Sequence, residues 1–343
     1  MAVQEGPEER SEDDPSFDPF KRHDQYGLEG AERQPIWEYL RLAVIALTIL
    51  PLKIIGCVAC LVGCYLVCKF SFLVPAHTRS AWVVSCGRVF VRMELFCLGF
   101  VTVTWKTVPD TRPKHILQGV KVAGVVSNHC SWADILVHMS RSFPSFVARA
   151  STKDLLWVGL ISQHMDCLFV ERELKSANTQ GVSGKVKQRM EAAAKESDGG
   201  ARLMLLFPEG TTTNGLYLLP FKSGAFLAGA PVQPVLIQYG KGRASPAWES
   251  IDIKWHLFLM MCSTHSVTAY ELPVYIPSDE EKNDALLYAQ NVRQYMLSFP
   301  DCVALKPSDS NLPDKRAYHA KARCRGVVAK TSGSSAEKAS KQQ

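Results

Sequence analysis

Apolar residues run almost without a break from Leu40 to Leu73, and this stretch stands apart from the rest of the 343-residue chain. It begins too late, and behind too acidic an arm, for a cleavable signal peptide, so it is expected to remain in the mature protein. Pro51 and Lys53 split it into Leu42 to Leu52 and Ile54 to Cys68, about 16 Å and 22 Å as helices, each short of a hydrocarbon core of about 30 Å. One kinked helix could span while burying Lys53, or a re-entrant hairpin could bring Lys53 to the headgroups. Arg33 and Arg41 before the stretch, and Lys69, Arg79, Arg88 and Arg92 after it, put both ends on the cytosolic face and favour the hairpin. Ala81 to Trp105 is interrupted by Arg88, Arg92 and Glu94, which predicts an amphipathic helix on the bilayer surface. Trp255 to Val267 is too short to cross and predicts a buried or interface-facing element.

Beyond this region the pattern changes to short apolar runs that end in polar loops. Val120 to Ser127, Arg202 to Phe207, the run inside Asp166 to Arg172, and Pro231 to Leu236 each read as a buried strand. Ser131-Trp132-Ala133-Asp134 places an N-cap serine three residues before an acid and opens a helix through Ile135, Leu136 and Met139.

Composition sets the frame around these elements. One catalytic domain at 76–300 is the simplest reading, with an acidic disordered arm at 1–35, the membrane hairpin at 36–75 and a basic tail at 301–343 that is largely disordered at its end. The net charge of +6 and pI near 8.7 suit an anionic membrane or phosphate-bearing substrates, and do not indicate nucleic acid. Of the eleven cysteines, Cys57, Cys60, Cys64 and Cys68 lie inside the apolar stretch, where thiols behave as small hydrophobes. No metal-ligand spacing accompanies them, so neither a metal site nor a disulfide framework is expected. Cys68, beside Lys69, is a palmitoylation candidate.

Chemistry concentrates at strand ends. His129 follows the first strand and Asp134 sits in the first turn of the helix. Within one regular helix the two side chains would diverge by about 140°, whereas a loop histidine can fold back onto the turn. Such a pair is what acyl transfer to an alcohol requires: the imidazole takes the hydroxyl proton and the carboxylate sets its tautomer. The helix N-terminus points where an oxyanion would develop. The plain alternative is a capping aspartate beside an ordinary loop histidine. Phe207-Pro208-Glu209-Gly210-Thr211-Thr212-Thr213-Asn214-Gly215 forms a loop at a strand's C-terminal end, where α/β folds bind ligands. Arg172 could grip a phosphate bidentately or pair with a neighbouring glutamate. Ser223 to Ala230 is a small-residue run suited to close packing beside a bound chain or within a core.

These four blocks, taken in order, resemble the glycerolipid acyltransferase superfamily, with its H-x-x-x-x-D, F-x-x-R and F-P-E-G-T motifs and proline-bearing strand. The resemblance spans about Leu40 to Tyr318. It is closest to the lysophosphatidylcholine/lysophosphatidylethanolamine branch, particularly its plant-type lysophosphatidylethanolamine enzymes, through FPEGTTTNG, FKSGAFLAG, PVQPVL, SDEEKND and DKRAYHA. It implies an α/β fold with a central, mostly parallel sheet flanked by helices and preceded by a membrane-embedded helical hairpin. By the same resemblance, His129 is the general base and Asp134 its orienting partner. Arg172, Glu209, Gly210, Thr211, Lys222 and Pro234 belong to substrate binding, with Arg172 near the phosphate and Pro234 under the acyl-CoA site. No cofactor is implied beyond acyl-CoA as co-substrate. The implied partners are a lysophospholipid acceptor and the bilayer, in the endoplasmic reticulum with the catalytic domain facing the cytosol.

The chain departs from that pattern at two points. Thr212 stands where many phosphatidic-acid-forming relatives carry arginine, and Leu156 stands where many have proline. A lysophospholipid acyltransferase is therefore expected, with glycerol-3-phosphate or lysophosphatidic acid acylation as the alternative and a non-enzymatic membrane adaptor behind both. A serine hydrolase lacks its G-x-S-x-G elbow, and no EF-hand loop occurs.

Overall fold

The computed structural model describes residues 14–28, 30, 32–170, 181–195, 202–247 and 252–322. The apolar stretch forms one uninterrupted 34-residue helix, α1 (Ile36–Lys69), with Pro51 inside it. The re-entrant hairpin centred on Pro51 is thus not formed. A proline removes one intrahelical bond, but opening the backbone in apolar surroundings would leave many more groups unpaired. Lys53 does not need headgroups either, because its ammonium donates to Met261 O at 2.6 Å. The hairpin is instead a larger one. After Ser71–Leu73 the chain turns into α2 (Ala76–Cys97), which packs back along α1 with Phe90 against Gly63 and Cys97 against Gly56. The helix anticipated over Ala81 to Trp105 therefore ends early. Gly99, at φ +108°, lets the chain pass close to Met260 O and Ser263 O, and β1 (Phe100–Thr107) follows.

Among the described residues α1 is the one helix long and apolar enough to cross a membrane, and 6% of its most apolar window is buried. At about 1.5 Å per residue it is about 50 Å long, yet the catalytic domain holds it along its length. Arg41 near its start donates to Cys262 O at 2.8 Å, Lys53 bonds Met261 at its middle, and Ser71 Oγ just beyond its end lies 3.2 Å from His164 Nε2.

The remaining elements are α3 (Lys114–Leu117), β2 (Gly124–Ser127), α4 (Ala133–Met139), β3 (Ser145–Arg149), α5 (Val158–His164), β4 (Leu168–Val170), α6 (Val182–Lys195), β5 (Met204–Leu206), β6 (Tyr217–Leu218), β7 (Val232–Tyr239), α7 (Ile253–Met261), β8 (His265–Glu271), α8 (Asp279–Asn283), α9 (Ala285–Leu297) and β9 (Lys306–Pro307). Seven strands form one sheet in the order β1-β8-β7-β2-β5-β3-β4, and β6 and β9 pair separately. Every neighbouring pair in the large sheet is parallel except β7 with β8. Side chains alternate between its faces. Val125, Leu205 and Ile237 pack toward α2, α4 and α5, whereas Val126, Met204 and Leu236 pack toward α6 and α9. The fold is the expected α/β one, with helices on both faces. Trp255 to Val267 resolves into α7, with Leu259 and Met260 buried, and the start of β8.

Residues 14–28, assigned by composition to a solvated arm, pack onto the domain. Pro15–Phe20 forms a 3-10 turn capped by Asp14, and Phe17, Phe20 and Tyr26 are buried. Asn214 of the F-P-E-G-T loop donates through Nδ2 to Asp18 O (2.8 Å) and Lys21 O (3.0 Å), and through its backbone N to Pro19 O (2.8 Å). A helix at 312–322 from the basic tail joins them, its Tyr318 ring 5.7 Å from Phe17 and Lys315 bonded to Thr212 O at 2.8 Å. Acidic composition averaged over the segment concealed three aromatic anchors that gain enough from burial to order it. Phe20→Ala, which removes a fully buried ring, should lower the unfolding free energy by about 3–5 kcal/mol. Denaturation of the purified protein in detergent measures this, and a loss within about 0.5 kcal/mol, the size of a surface change, would mean the segment is loosely held.

Candidate active site

Parallel pairing of β2 with β5, Val126 opposite Leu206, ends both strands at the same level. The loops that leave them, 128–132 and 207–216, therefore meet although they are far apart in sequence. On the other side of β2, strand β7 runs on past Ser127. Asn128 extends the ladder with its side chain, donating from Nδ2 to Ile237 O at 3.0 Å and accepting from Ile237 N at 2.7 Å. This fixes the loop before it reaches His129.

His129 Nδ1 lies 2.8 Å from Asp134 Oδ2. The same oxygen accepts from Cys130 N at 2.7 Å and Ser131 N at 2.9 Å, and Oδ1 accepts from the Tyr239 hydroxyl. Asp134 is fully buried and His129 is about one-fifth exposed, so one charge is enclosed by donors while the imidazole faces out. Asp134 both caps the turn and orients the histidine, which joins the two roles posed as alternatives for it. The N–H groups of Cys130 and Ser131 are taken by this carboxylate and are not offered to a developing oxyanion. The imidazole also stacks on Phe207, with ring centroids 3.9 Å apart and planes 14° from parallel. His138 meets the same phenyl ring edge-on, and burial pushes its pKa down to about 4, which keeps it uncharged near neutrality.

Glu209 is 3% exposed and points away from solvent. Its Oε1 accepts from His129 N at 2.7 Å and its Oε2 from Leu219 N at 2.9 Å. Burial pushes its pKa up to about 8 against the pull of these two N–H donors. The carboxyl thus ties the histidine loop to the F-P-E-G-T loop, and Thr213 N adds a second tie to His129 O at 2.9 Å.

An open cleft of about 720 Å³ lies over these loops, lined in part by His129, Phe207, Gly210, Thr211, Thr212 and Lys222. Gly210 has φ +72° and Lys222 packs where its Cβ would be, so a side chain there would be strained and would displace the lysine. A second cavity of about 360 Å³ shares Ile135 and Phe146 with the cleft. Its other walls are apolar apart from Glu94 and Ser162, and come from α1 and α2 (Cys60, Cys64, Phe90), α4 (Leu136, Met139) and α5 (Val158, Ile161). Among the described residues no His/Cys/Asp/Glu group has the arrangement of a metal site.

Of the residues singled out in the sequence, His129, Gly210, Thr211 and Lys222 come together on the cleft. Asp134 and Glu209 stand behind it as supports, so Glu209 is not placed to touch a ligand. Pro234 is buried in β7 opposite Val126, in the sheet beneath. Arg172 lies outside the described residues. Sequence reasoning missed Asn128, Phe207 and Tyr239. The strand assigned to Pro231 to Leu236 stopped three residues short of Tyr239, and following its apolar pattern through Ile237 would have brought that hydroxyl into view.

A sequence-family model described as Acyltransferase matches residues 115–238. Lysophospholipid acyltransferase LPEAT1 of Arabidopsis thaliana is 39% identical over 350 residues, covering 90% of this chain and 86% of that protein. Lysophosphatidylcholine acyltransferase 1 of Homo sapiens is 34% identical over 54% of this chain, and the match covers 36% of its own length. In the crystal structure of the 1-acyl-sn-glycerophosphate acyltransferase PlsC from Thermotoga maritima, the TM-score is 0.41 at 17% identity, over 75% of this chain and 93% of that one.

Two substitutions test the supports. Tyr239→Phe keeps the ring packed 5.8 Å from Phe100 but removes a donor to a buried carboxylate, so kcat of whatever reaction His129 serves should fall about tenfold or more with KM little changed. An equal rise in KM would mean that Tyr239 meets the substrate. For Glu209, the folded value near 8 exceeds the ordinary 4.5, so the folded state holds a proton that the unfolded chain has released. Its contribution to stability is full below about pH 4.5 and is lost as pH rises through about 8. The melting temperature should therefore fall between about pH 6 and about pH 9 by more in the wild type than in Glu209→Gln; parallel curves would exclude the shifted carboxyl.

Proposed function

Because the chain belongs to the acyltransferase family and, within it, to the lysophospholipid acyltransferases, we propose that it moves an acyl chain from acyl-CoA to the free hydroxyl of a lysophospholipid. Lysophosphatidylethanolamine is the first acceptor and lysophosphatidylcholine the next. The observation that carries this reading is the His129–Asp134 pair at 2.8 Å, open on one side to a polar-rimmed cleft and adjoining an apolar cavity. Nδ1 faces Asp134, so the other imidazole nitrogen takes the acceptor's hydroxyl proton. The alcohol oxygen attacks the thioester carbonyl, the C–O bond forms and the C–S bond breaks. The departing thiolate then recovers the proton from the imidazolium, and no covalent enzyme intermediate is needed. The buried carboxylate stabilises the imidazolium while the proton is held.

Thr211, Thr212 and Lys222 on the cleft wall suit a phosphodiester headgroup, the lysine as a point charge and the hydroxyls as donors. At Thr212, which stands in place of an arginine, Lys315 Nζ bonds the threonine hydroxyl at 2.6 Å, so a second cation stands beside this wall. The apolar cavity suits the acyl chain. The protein is membrane-associated through α1 and α2, whose outward residues include Ile36, Leu47, Ile55, Val89, Met93 and Phe96. Since the catalytic domain holds both ends of α1, the helix lies along one leaflet with the domain on one side. The flanking basic residues support the cytosolic face, and the endoplasmic reticulum is the membrane we assign.

His129→Ala should lower transfer of labelled acyl chain from acyl-CoA by about 10²-fold or more while leaving the protein in the membrane fraction. Near-normal turnover would remove the general-base role, and lysophosphatidic acid outpacing lysophosphatidylethanolamine in the wild type would reassign the acceptor. Cys64→Phe, which fills the apolar cavity, should reduce turnover of long acyl-CoAs more than short ones. Equal losses across chain lengths would take the acyl chain out of that cavity.

A further inference from the structure

Leu155 and Leu156 stand 55% and 74% exposed on a turn that is held tightly. Val158 N bonds back to Leu156 O at 2.8 Å, and Trp157 between them adopts φ 65°, ψ −47°, a γ-turn geometry that is strained for a residue with a side chain. From behind, a Cβ on Gly159 would collide with Lys153 O, so glycine is what allows the preceding 3-10 turn, Ala150–Asp154, to fold this close. In water, adjacent leucines gain nothing from being held out by strain; against hydrocarbon they do.

Two further observations identify the surface that receives them. Helix α5, which starts at this turn, supplies Val158, Ile161 and Ser162 to the apolar cavity whose facing walls are α1 and α2, so the turn stands beside the helical pair. Arg149 and Lys153, both exposed, outnumber the exposed Asp154 beside Leu155, and the net positive charge matches anionic headgroups. We propose that Leu155 and Leu156 form a second membrane-insertion point, entering the leaflet that holds α1 and α2 at the rim of the apolar cavity. The proposal rests on the membrane acyltransferase reading above. It gives a function to Leu156, one of the two points at which the chain departs from the family pattern.

The test uses the full chain with vesicles of phosphatidylcholine containing phosphatidylserine. Amide hydrogen exchange across 153–158 should slow by about tenfold or more when vesicles are added. The variant L155D/L156D should lose about tenfold in transfer to a vesicle-borne lysophospholipid and retain transfer to a short-chain acceptor dispersed as monomers; L155S/L156S should show the same split to a smaller degree. Unchanged exchange would overturn the proposal. So would equal loss on both acceptors, which marks a structural turn, or a wild-type dimer that the substitution dissociates, which makes a second copy the occupant. If the wild type transfers to no lysophospholipid, the functional reading fails, while the exchange measurement still decides insertion.

Discussion

Enclosing the Asp134 carboxylate imposes the constraint on which the site depends. A charge removed from water must be met by donors, and here they come from two parts of the chain: the His129 ring and the Cys130 and Ser131 amides on one loop, and the Tyr239 hydroxyl at the far end of β7. Satisfying the charge fixes the histidine's ring orientation and tautomer as a by-product. The loop is then secured from the other side, where Asn128 mimics a strand residue against Ile237 and Glu209 bridges the amides of His129 and Leu219. The imidazole is the one member of this network left facing the cleft.

The arrangement also explains how a site for a lipid can sit on a polar network. Polar groups lie at the C-terminal ends of β2 and β5, while the apolar cavity is built from helices. Ile135 and Phe146 belong to both spaces, so the two are continuous beside His129, as the proposed transfer from a long-chain donor requires. The helical pair thus has two roles, forming a wall of the cavity and presenting an apolar outer face. Residues 14–28 and 312–322 reinforce the arrangement by gripping the F-P-E-G-T loop from behind through Asn214 and Thr212.

Much of this was legible in residue order. The buried strands, a helix beginning near Asp134, which starts at Ala133 with Trp132 and not Ser131 at its cap, the approach of His129 to Asp134, and the loop after Phe207 all follow from local pattern. What stayed hidden depended on contacts across long separations. Glu209 reads as a substrate ligand in a motif, but its burial makes it a brace, and that burial comes from packing against residues 80 positions away. Pro51 and Lys53 read as a break, but Met261 O satisfies the lysine and the helix continues. The aromatic anchors at Phe17, Phe20 and Tyr26 were masked by the acidic residues around them.

By itself, then, the sequence determined the class of fold, the meeting of His129 with Asp134 and the long apolar helix, because strand periodicity, residue spacing and continuous apolar length are local properties. Only the tertiary structure decided that Asp134 and Glu209 both support the cleft from behind, that Tyr239 completes the carboxylate's shell, and that α1 lies along the domain. Those outcomes depend on which strands become neighbours. Parallel pairing of β2 with β5 and β7 brings three distant loops to one edge of the sheet, where a buried charge selects its partners by distance in space.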